Sequence, residues 1–414
     1  MKLNKINTAT IPWLRGMSHN GRVVALSEPF WSIPFNMLTV YAVLYMLELG
    51  LTKREIGLTQ TVLVGTQIMS SLFSGSLTDH LGRKRTTLIF DLISWSGACL
   101  VWAFSGHLGG FLFAAFLNGI NKVVYVSFNC MLTEDATSSE RLRNYSGLHF
   151  MVLTGGFLTP IGGLIVSQFG LIPGARILYL NAAVIMGVMF FIRHMGWKEP
   201  QSGKSDIHTG ILKGITDSLK YFISDSQRQI VFILQSIAQF YTIFKPLFYY
   251  AYLKEIIGLN TAVISLVPVI MSIITMVVLL GFLPRVKNSQ RKMLLTAGLA
   301  MGSFSLIFLI FSAQGNLILL SIAILIDGIS SALLRPLLDS LWADHLSDNK
   351  RTRQLAAGNF FFGLVSIPAG SIAAELYRTS PLLPFGAAAA ILLFSAVLSL
   401  KLSVLSDEKV QLLD

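Results

Sequence analysis

The chain has 414 residues, of which 53% are hydrophobic and only 13% are charged. Soluble domains carry about 25% charged residues and rarely expose large apolar patches. This composition excludes an ordinary water-soluble fold and indicates a protein embedded in a lipid bilayer.

Basic residues outnumber acidic ones by 32 to 21, which gives a net charge of +11. Such a balance can indicate nucleic-acid binding. Here, however, the charges separate apolar runs of about 20 residues, the length that crosses a hydrocarbon core. We therefore expect the bilayer as a partner and no nucleic acid. Cys99 and Cys130 both lie in such runs, so neither a disulfide, nor a metal site, nor any other cofactor is expected.

Twelve apolar runs are predicted to be transmembrane helices, because only helices and closed barrels satisfy their backbone in lipid. The first 21 residues lack the apolar stretch of a signal peptide, so the first run is expected to be retained. We number the runs spans 1 to 12. They are predicted near residues 22–48, 56–78, 85–105, 109–132, 145–170, 174–195, 229–253, 262–284, 292–313, 316–342, 354–377 and 382–403.

A polar stretch divides the spans into two sets of six. The predicted fold class is an all-α membrane protein with an N-terminal six-helix bundle (1–195), a cytoplasmic linker (196–228) and a C-terminal six-helix bundle (229–414). The linker is too short for a catalytic domain. HExxH, GxSxG and GxGxxG motifs are absent, so no enzyme is expected. A membrane enzyme or a lipid scramblase is a minor alternative.

Lys and Arg are unevenly distributed between the two ends of the spans. Of 32 such residues, 24 fall in the N-terminus, the even-numbered loops, the linker and the C-terminus, whereas 5 fall in the odd-numbered loops. Because positive loops stay in the cytoplasm, both termini are predicted to be cytoplasmic in a multi-pass protein of the plasma membrane.

The two halves of the chain repeat each other at offsets of 208 to 210 residues. The matched segments are Gly50-Leu51-Thr52 with Gly258-Leu259-Asn260, Asn118-Gly119-Ile120 with Asp327-Gly328-Ile329, Arg141-x-Arg143 with Arg351-x-Arg353, and Pro160-x-Gly162 with Pro368-x-Gly370. Parallel repeats about an axis along the membrane normal are typical of one transporter architecture.

The loop between spans 2 and 3 reads GSLTDHLGRK over residues 75–84. It resembles the signature loop of the major facilitator superfamily, G-x-L-x-D-R-x-G-R-K, and departs from it only at His80. The resemblance, together with the twelve-span plan, implies a transporter that moves a small molecule by alternating access between two six-helix bundles.

In that resemblance the loop is a conformational latch at the cytoplasmic face. Gly75 permits close helix approach and Gly82 a tight turn, while Asp79 and Arg83 exchange ion-pair partners where helix ends meet. The alternative is a set of solvated cytoplasmic charges. The predicted latch consists of Gly75, Asp79, Gly82, Arg83, Lys84 and a partner for Arg83, either Glu134 or Asp135.

Span 5 carries GGFLTPIGG over residues 155–163. This segment resembles, imperfectly, the proline-glycine motif of proton-driven exporters in the same family. An equally good interpretation is that small residues let helices 5 and 8 pack closely.

Ionisable groups inside a span are costly, so each is a candidate functional residue. The resemblance implies that spans 1, 4, 7 and 10 line a central cavity. The repeat offset places Lys122 and Asp327 at a similar depth, which predicts an ion pair between them. Asp91, on span 3, is expected in the latch or in a structural pair, and Arg335 and Asp339 are expected to satisfy each other.

Glu28 is the first choice for proton coupling and Asp327 is the second. Glu28 is followed by Pro29, so span 1 is expected to be broken beside the carboxylate. An apolar setting favours the neutral form of a carboxyl group, and a proton carrier needs access to that form. The alternative is a carboxylate permanently paired to hold span 1 in place.

Span 7 bears a polar stripe that is expected to face water. With the cations and aromatic residues of the other cavity helices, it favours a polar or anionic organic solute. The predicted cavity residues are Trp31, Asn36, Asn118, Lys122, Gln235, Gln239, Lys245, Tyr249, Arg335 and Asn359.

The sequence thus predicts a secondary active transporter that works as a monomer, most simply a proton symporter. The alternatives are a proton-coupled efflux antiporter for drugs or metabolites, and a receptor that binds a solute without moving it.

Overall fold

A computed structural model of the chain describes residues 14–200, 211–286, 288–347 and 351–402. Every regular element in these ranges is a helix. Eleven helices are long and apolar enough to cross a membrane, and a twelfth, shorter apolar helix has 17 residues. The predicted all-α fold with twelve spans is therefore confirmed.

The helices of spans 1–6 are His19–Glu48, Lys53–Leu81, Arg83–Phe104, Leu108–Thr133, Arg143–Phe169 and Leu171–Gly196. Those of spans 7–12 are Ser226–Glu255, Thr261–Phe282, Arg291–Phe311, Leu317–Asp344, Gln354–Thr379 and Leu383–Ser399. The chain ends (1–13 and 403–414), which are predicted to be cytoplasmic, and linker residues 201–210 lie outside the described residues.

The chain divides into two compact units. The first comprises Met1–Asp206 together with Thr261–Val269, and the second comprises Ile207–Asn260 together with Ile270–Asp414. In the first unit, span 6 packs against spans 1 and 3, and span 2 against span 4. In the second, span 9 packs against spans 10 and 12, and span 7 against spans 11 and 12.

The beginning of span 8 groups with the first unit because it packs closely on spans 1 and 5. The Tyr41 hydroxyl donates a hydrogen bond to the Thr261 carbonyl at 2.9 Å. A side chain at Gly163 would collide with the Ser265 hydroxyl. The small residues of span 5 thus serve the close packing of helices 5 and 8, as the structural interpretation of that segment predicted.

The internal repeat has a conformational counterpart. Gly50 and Gly258, which occupy matching positions before spans 2 and 8, both adopt left-handed backbone angles, with φ of 87° and 80°. Residues with a Cβ rarely adopt such angles, so glycine is required at both turns.

A linker helix, Ile211–Phe222, is anchored within the second unit by its last residue. The Phe222 ring is buried, and its centroid lies 4.9 Å from that of Trp342 and 5.2 Å from that of Phe232. The linker helix is thereby part of the core of this unit.

Candidate functional site

Span 1 is interrupted at Glu28, as the sequence predicted. The helical segments His19–Ser27 and Pro29–Glu48 meet there, because Pro29 has no N–H to continue the hydrogen-bond ladder. The carboxylate of Glu28 turns into the first unit, where the residue is only 6% exposed.

Two carboxylates and one guanidinium meet in the interior of this unit. Arg193 of span 6 donates a short hydrogen bond from Nη2 to Oδ2 of Asp91 on span 3. Its Nη1 lies 3.7 Å from Oε2 of Glu28. We call Glu28, Asp91 and Arg193 the buried triad. The structural pair expected for Asp91 is present, and its partner, Arg193 near the end of span 6, was not among the predicted site residues.

Aromatic rings complete the environment of Arg193. The Cζ atom lies 4.9 Å from the ring centroid of Trp197, 5.1 Å from that of Phe128 and 5.2 Å from that of Phe190. Guanidinium groups are attracted to aromatic faces at such distances. The Arg193 guanidinium is therefore surrounded by two carboxylates and three aromatic rings of the first unit.

A cavity of about 250 Å³ opens beside the buried triad. Of the predicted residues, Glu28, Trp31 and Lys122 line it. The other lining residues include Tyr125, which the sequence also suggested for a cavity, and Asp91, which was expected in a pair; the rest were missed, although several are polar groups inside spans. The full set of other lining residues is Gln67, Asp91, Trp95, Asn121, Val124, Tyr125, Phe128, Phe190 and Arg193.

Two asparagines predicted for the cavity donate hydrogen bonds to backbone carbonyls. The Asn118 side chain is buried and donates to the Ser94 carbonyl at 2.8 Å, within the π-helical turn Leu92–Gly97. Its placement in the cavity was wrong, because the wide turn presents a carbonyl that the amide satisfies. Asn36 donates to the Ser32 carbonyl of its own helix at 2.7 Å.

A second buried ion pair lies in the second unit. Lys245 Nζ of span 7 is 2.5 Å from Asp327 Oδ2 of span 10, and the same ammonium lies 4.9 Å from the ring centroid of Tyr249. Asp327 thus pairs with Lys245 of its own unit, a partner that the repeat had not indicated. The repeat offset compares backbone positions and neglects the reach of a flexible lysine stem.

Of the remaining predicted cavity residues of the second unit, Gln235 is buried and the others are more exposed. Gln235 donates to Asp339 Oδ1 at 3.0 Å, and Arg335 lies 3.8 Å from Asp339 Oδ2 on an exposed face. Gln239 is half-buried and Asn359 is exposed. Lys245 and Arg335 both face carboxylates of their own unit, which compensate their positive charges. These two cations therefore favour an anionic solute less than the sequence suggested.

The loop between spans 2 and 3 forms a small charge network. Arg83 Nε lies 3.1 Å from Glu134 Oε2, and Arg83 Nη2 lies 3.6 Å from Asp79 Oδ1. Glu134 is thus a partner of Arg83, and Asp135 is exposed. A Cβ built at Gly75 meets no atom within 4 Å among the described residues, so the predicted close approach at this glycine is wrong for this conformation.

Glu199, just after span 6, caps the beginning of span 3. Its Oε1 and Oε2 accept hydrogen bonds from the backbone N–H groups of Arg83 and Lys84, at 2.6 and 3.0 Å. Gly82 turns the chain with φ of 83°, as the tight turn predicted for it requires. A carboxylate at a helix N-terminus satisfies free N–H groups and complements the helix dipole.

Replacing Glu199 by Ala is expected to lower the stability of the first unit by about 0.5–2 kcal/mol, the usual cost of losing an N-terminal cap. Glu199→Gln keeps one acceptor oxygen, so we expect about half the effect. The measurement is the thermal unfolding midpoint of the purified protein in one detergent. An Ala variant as stable as the wild type would show that the cap contributes nothing.

The sequence of this chain is similar to those of known transport proteins. The sequence profile of the Major Facilitator Superfamily matches residues 30–370. The multidrug resistance protein MdtL of Shewanella oneidensis is 29% identical over 182 residues, which cover 43% of this chain and 44% of the relative. The chain thus spans less than half the length of this relative.

Solved structures share the fold over nearly the whole chain. A variant of the nucleoside transporter NupG has a TM-score of 0.70 at 13% identity, covering 92% of this chain and 98% of its own. A variant of the peptide transporter POT has a TM-score of 0.68 at 16% identity, covering 92% and 93%. The human organic anion transporter MFSD10 (TETRAN) has a TM-score of 0.66 at 14% identity, covering 92% and 99%.

The profile covers most of the chain, and the twelve spans, the loop at residues 75–84 and the fold agree with it. The chain belongs to the Major Facilitator Superfamily and is a multi-pass membrane transporter of that type.

Proposed function

We propose that this transporter moves a small polar organic solute by alternating access and couples the movement to protons, most simply as a symporter. The observation that carries the proposal is shared by Glu28 and Asp327. Each is a buried carboxylate that faces one basic side chain, and each has one oxygen without a hydrogen-bond partner among the described residues.

Such an arrangement suits a group that changes charge. When ionised, the carboxylate is stabilised by Arg193 or Lys245; when protonated, it is neutral and needs no cation in an apolar interior. Each unit thus contains one ion pair that a proton can open. We assign Glu28 as the first proton carrier and Asp327 as the second.

The cavity beside Glu28 supports a polar solute better than an anionic one. Its lining includes two carboxylates and two basic groups, the amides of Gln67 and Asn121, and several aromatic rings. Amides supply hydrogen bonds, and aromatic rings offer stacking surfaces. Its volume of about 250 Å³ limits the enclosed part of the solute to a small group.

A second candidate is a proton-coupled efflux antiporter for drugs or metabolites. It is favoured by the name of the MdtL relative, a multidrug resistance protein, and by the proline-glycine segment of span 5. That segment packs closely against span 8 in the structure, so it supports export only weakly.

We further propose that the loop with Arg83, Asp79 and Glu134 is a latch on the cytoplasmic face of the plasma membrane. Both termini would then also be cytoplasmic, in accord with the positive charge of that face. Each unit contains its own buried ion pair, so we propose that a monomer transports.

Replacing Arg83 by Ala is expected to change the equilibrium constant between the two transport conformations by about 5- to 30-fold. The conformation that the latch stabilises loses about one or two kcal/mol of stability. The control is Arg85→Ala, which removes an exposed cation of the same loop. The measurement is the rate of solute exchange across liposomes. Equal rates in both variants would contradict the latch.

The transport proposal is tested with purified protein in liposomes that contain a pH-sensitive dye. A panel of sugars, organic acids and cationic drugs is added outside, one at a time. Acidification of the lumen on adding a sugar or an organic acid supports symport, and alkalinisation on adding a drug supports the antiporter. Solute uptake without any pH change would contradict proton coupling.

A further inference from the structure

The two carboxylates of the buried triad are not equivalent. Asp91 accepts a hydrogen bond from Arg193, whereas Glu28 Oε2 stands 3.7 Å from the guanidinium and has no hydrogen-bond partner among the described residues. Asp91 is 2% exposed, Arg193 4% and Glu28 6%, so all three are removed from water.

A charge count shows why this asymmetry matters. Within the triad, two ionised carboxylates and one guanidinium leave one negative charge in excess, and a buried carboxylate to which no cation donates a hydrogen bond is costly. The excess is removed when one carboxyl group takes up a proton. The group that loses least by doing so is the one without a hydrogen bond to the cation.

We propose that Asp91 and Arg193 are positioning residues that make Glu28 the proton-accepting group of the first unit. This inference rests on the proposed proton coupling. It explains why Glu28, and not Asp91, takes up the proton. Asp91 accepts the hydrogen bond of the guanidinium, so Arg193 stabilises the ionised form of Glu28 less than that of Asp91. Glu28 is then free to exchange a proton with the adjacent cavity.

The charged groups around Glu28 come from three other spans. Span 3 supplies Asp91 and span 6 supplies Arg193, both in the triad. Span 4 supplies Lys122, which lines the same cavity with its ammonium 5.2 Å from the ring centroid of Tyr125. Arg193 forms an ion pair with Glu28 at 3.7 Å and a hydrogen bond with Asp91, so a change at Asp91 acts on Glu28 through Arg193.

The test measures protonation directly and needs no substrate. The purified full chain is titrated with acid in lipid nanodiscs while infrared spectroscopy follows the carbonyl stretch of protonated carboxyl groups. Glu28→Gln assigns the band of Glu28 by its loss. Glu375→Gln, an exposed carboxylate paired with Arg378 on span 11, is the control and is expected to leave this band unchanged.

Asp91→Asn is the decisive variant. With Asp91 neutral, Arg193 is free to pair with Glu28, and a close opposite charge moves the titration midpoint of a carboxyl group down by about 1–3 pH units. We expect such a shift of the Glu28 band. If the midpoint is unchanged, or if the titrating band belongs to Asp91, the proposal is overturned.

Arg193→Lys gives a second reading if Asp91→Asn folds poorly. A lysine keeps the charge but cannot bridge two carboxylates with a planar fork, so we expect the Glu28 midpoint to move while the band remains. An unchanged midpoint in this variant would also overturn the proposal. Neither infrared result depends on transport, so failure of the liposome assay is distinguished from failure of this inference.

Discussion

Lys245→Met is expected to destabilise the protein by about 3–5 kcal/mol where Asp327 stays ionised, and by less at a pH low enough to protonate it, because the buried carboxylate then lacks its cation. The lysine ammonium is 2.5 Å from Asp327 Oδ2, and the two side chains are only 11% and 6% exposed. The measurement is the thermal unfolding midpoint in detergent.

The double variant Lys245→Met with Asp327→Leu is expected to recover most of that stability, since replacing both members of a buried pair by apolar groups is often neutral. Transport should nevertheless stay absent, because the second proton carrier is gone. Recovery of both stability and transport in the double variant would show that the pair is only structural.

Glu28→Gln is expected to abolish net proton movement while leaving the protein folded. The amide replaces a carboxylate that has no hydrogen bond to Arg193, and Asp91 keeps the guanidinium paired. A neutral glutamine also imitates the protonated state permanently. The loaded carrier should therefore still exchange labelled solute between equal concentrations on the two sides, which a liposome exchange assay measures.

The same variant separates the two interpretations of Glu28. If the carboxylate merely held span 1 in place through Arg193, its loss would lower the unfolding midpoint and stop exchange together. If it carries the proton, exchange persists and only net, pH-dependent movement is lost. Glu375→Gln again serves as the control, since it removes an exposed carboxylate far from any cavity-lining residue in sequence.

The spans and the loop at residues 75–84 could be predicted because their signals are local. An apolar run of helical length and a ten-residue motif can be read without knowing what packs against them. The same holds for the break at Glu28, which follows directly from Pro29, and for the left-handed turn at Gly82.

The composition of the buried triad could not be predicted, because it depends on the rotation of three helices and on where one of them ends. Arg193 stands in the last turn of span 6, and the sequence does not show which way its side chain turns. Asp91 and Glu28 were recognised as charges inside spans, but Arg193, close to a span end, was not counted with them.

Other differences arise from contacts that no periodic pattern encodes. Asn118 satisfies a carbonyl of a π-helical turn that is not evident in the sequence of span 3. Glu199 reaches the N-terminus of span 3 from more than 100 residues along the chain. Lys245 finds Asp327 because a lysine stem spans several ångströms beyond its own backbone position.

The central claim is that Glu28 carries a proton during transport. It is tested most directly by recording lumenal pH in matched liposomes of the wild type, Glu28→Gln and Glu375→Gln, each driven by the solute that the panel identifies. We expect the wild type and Glu375→Gln to give the same pH change and Glu28→Gln to give none. A pH change of wild-type size in Glu28→Gln would contradict the claim.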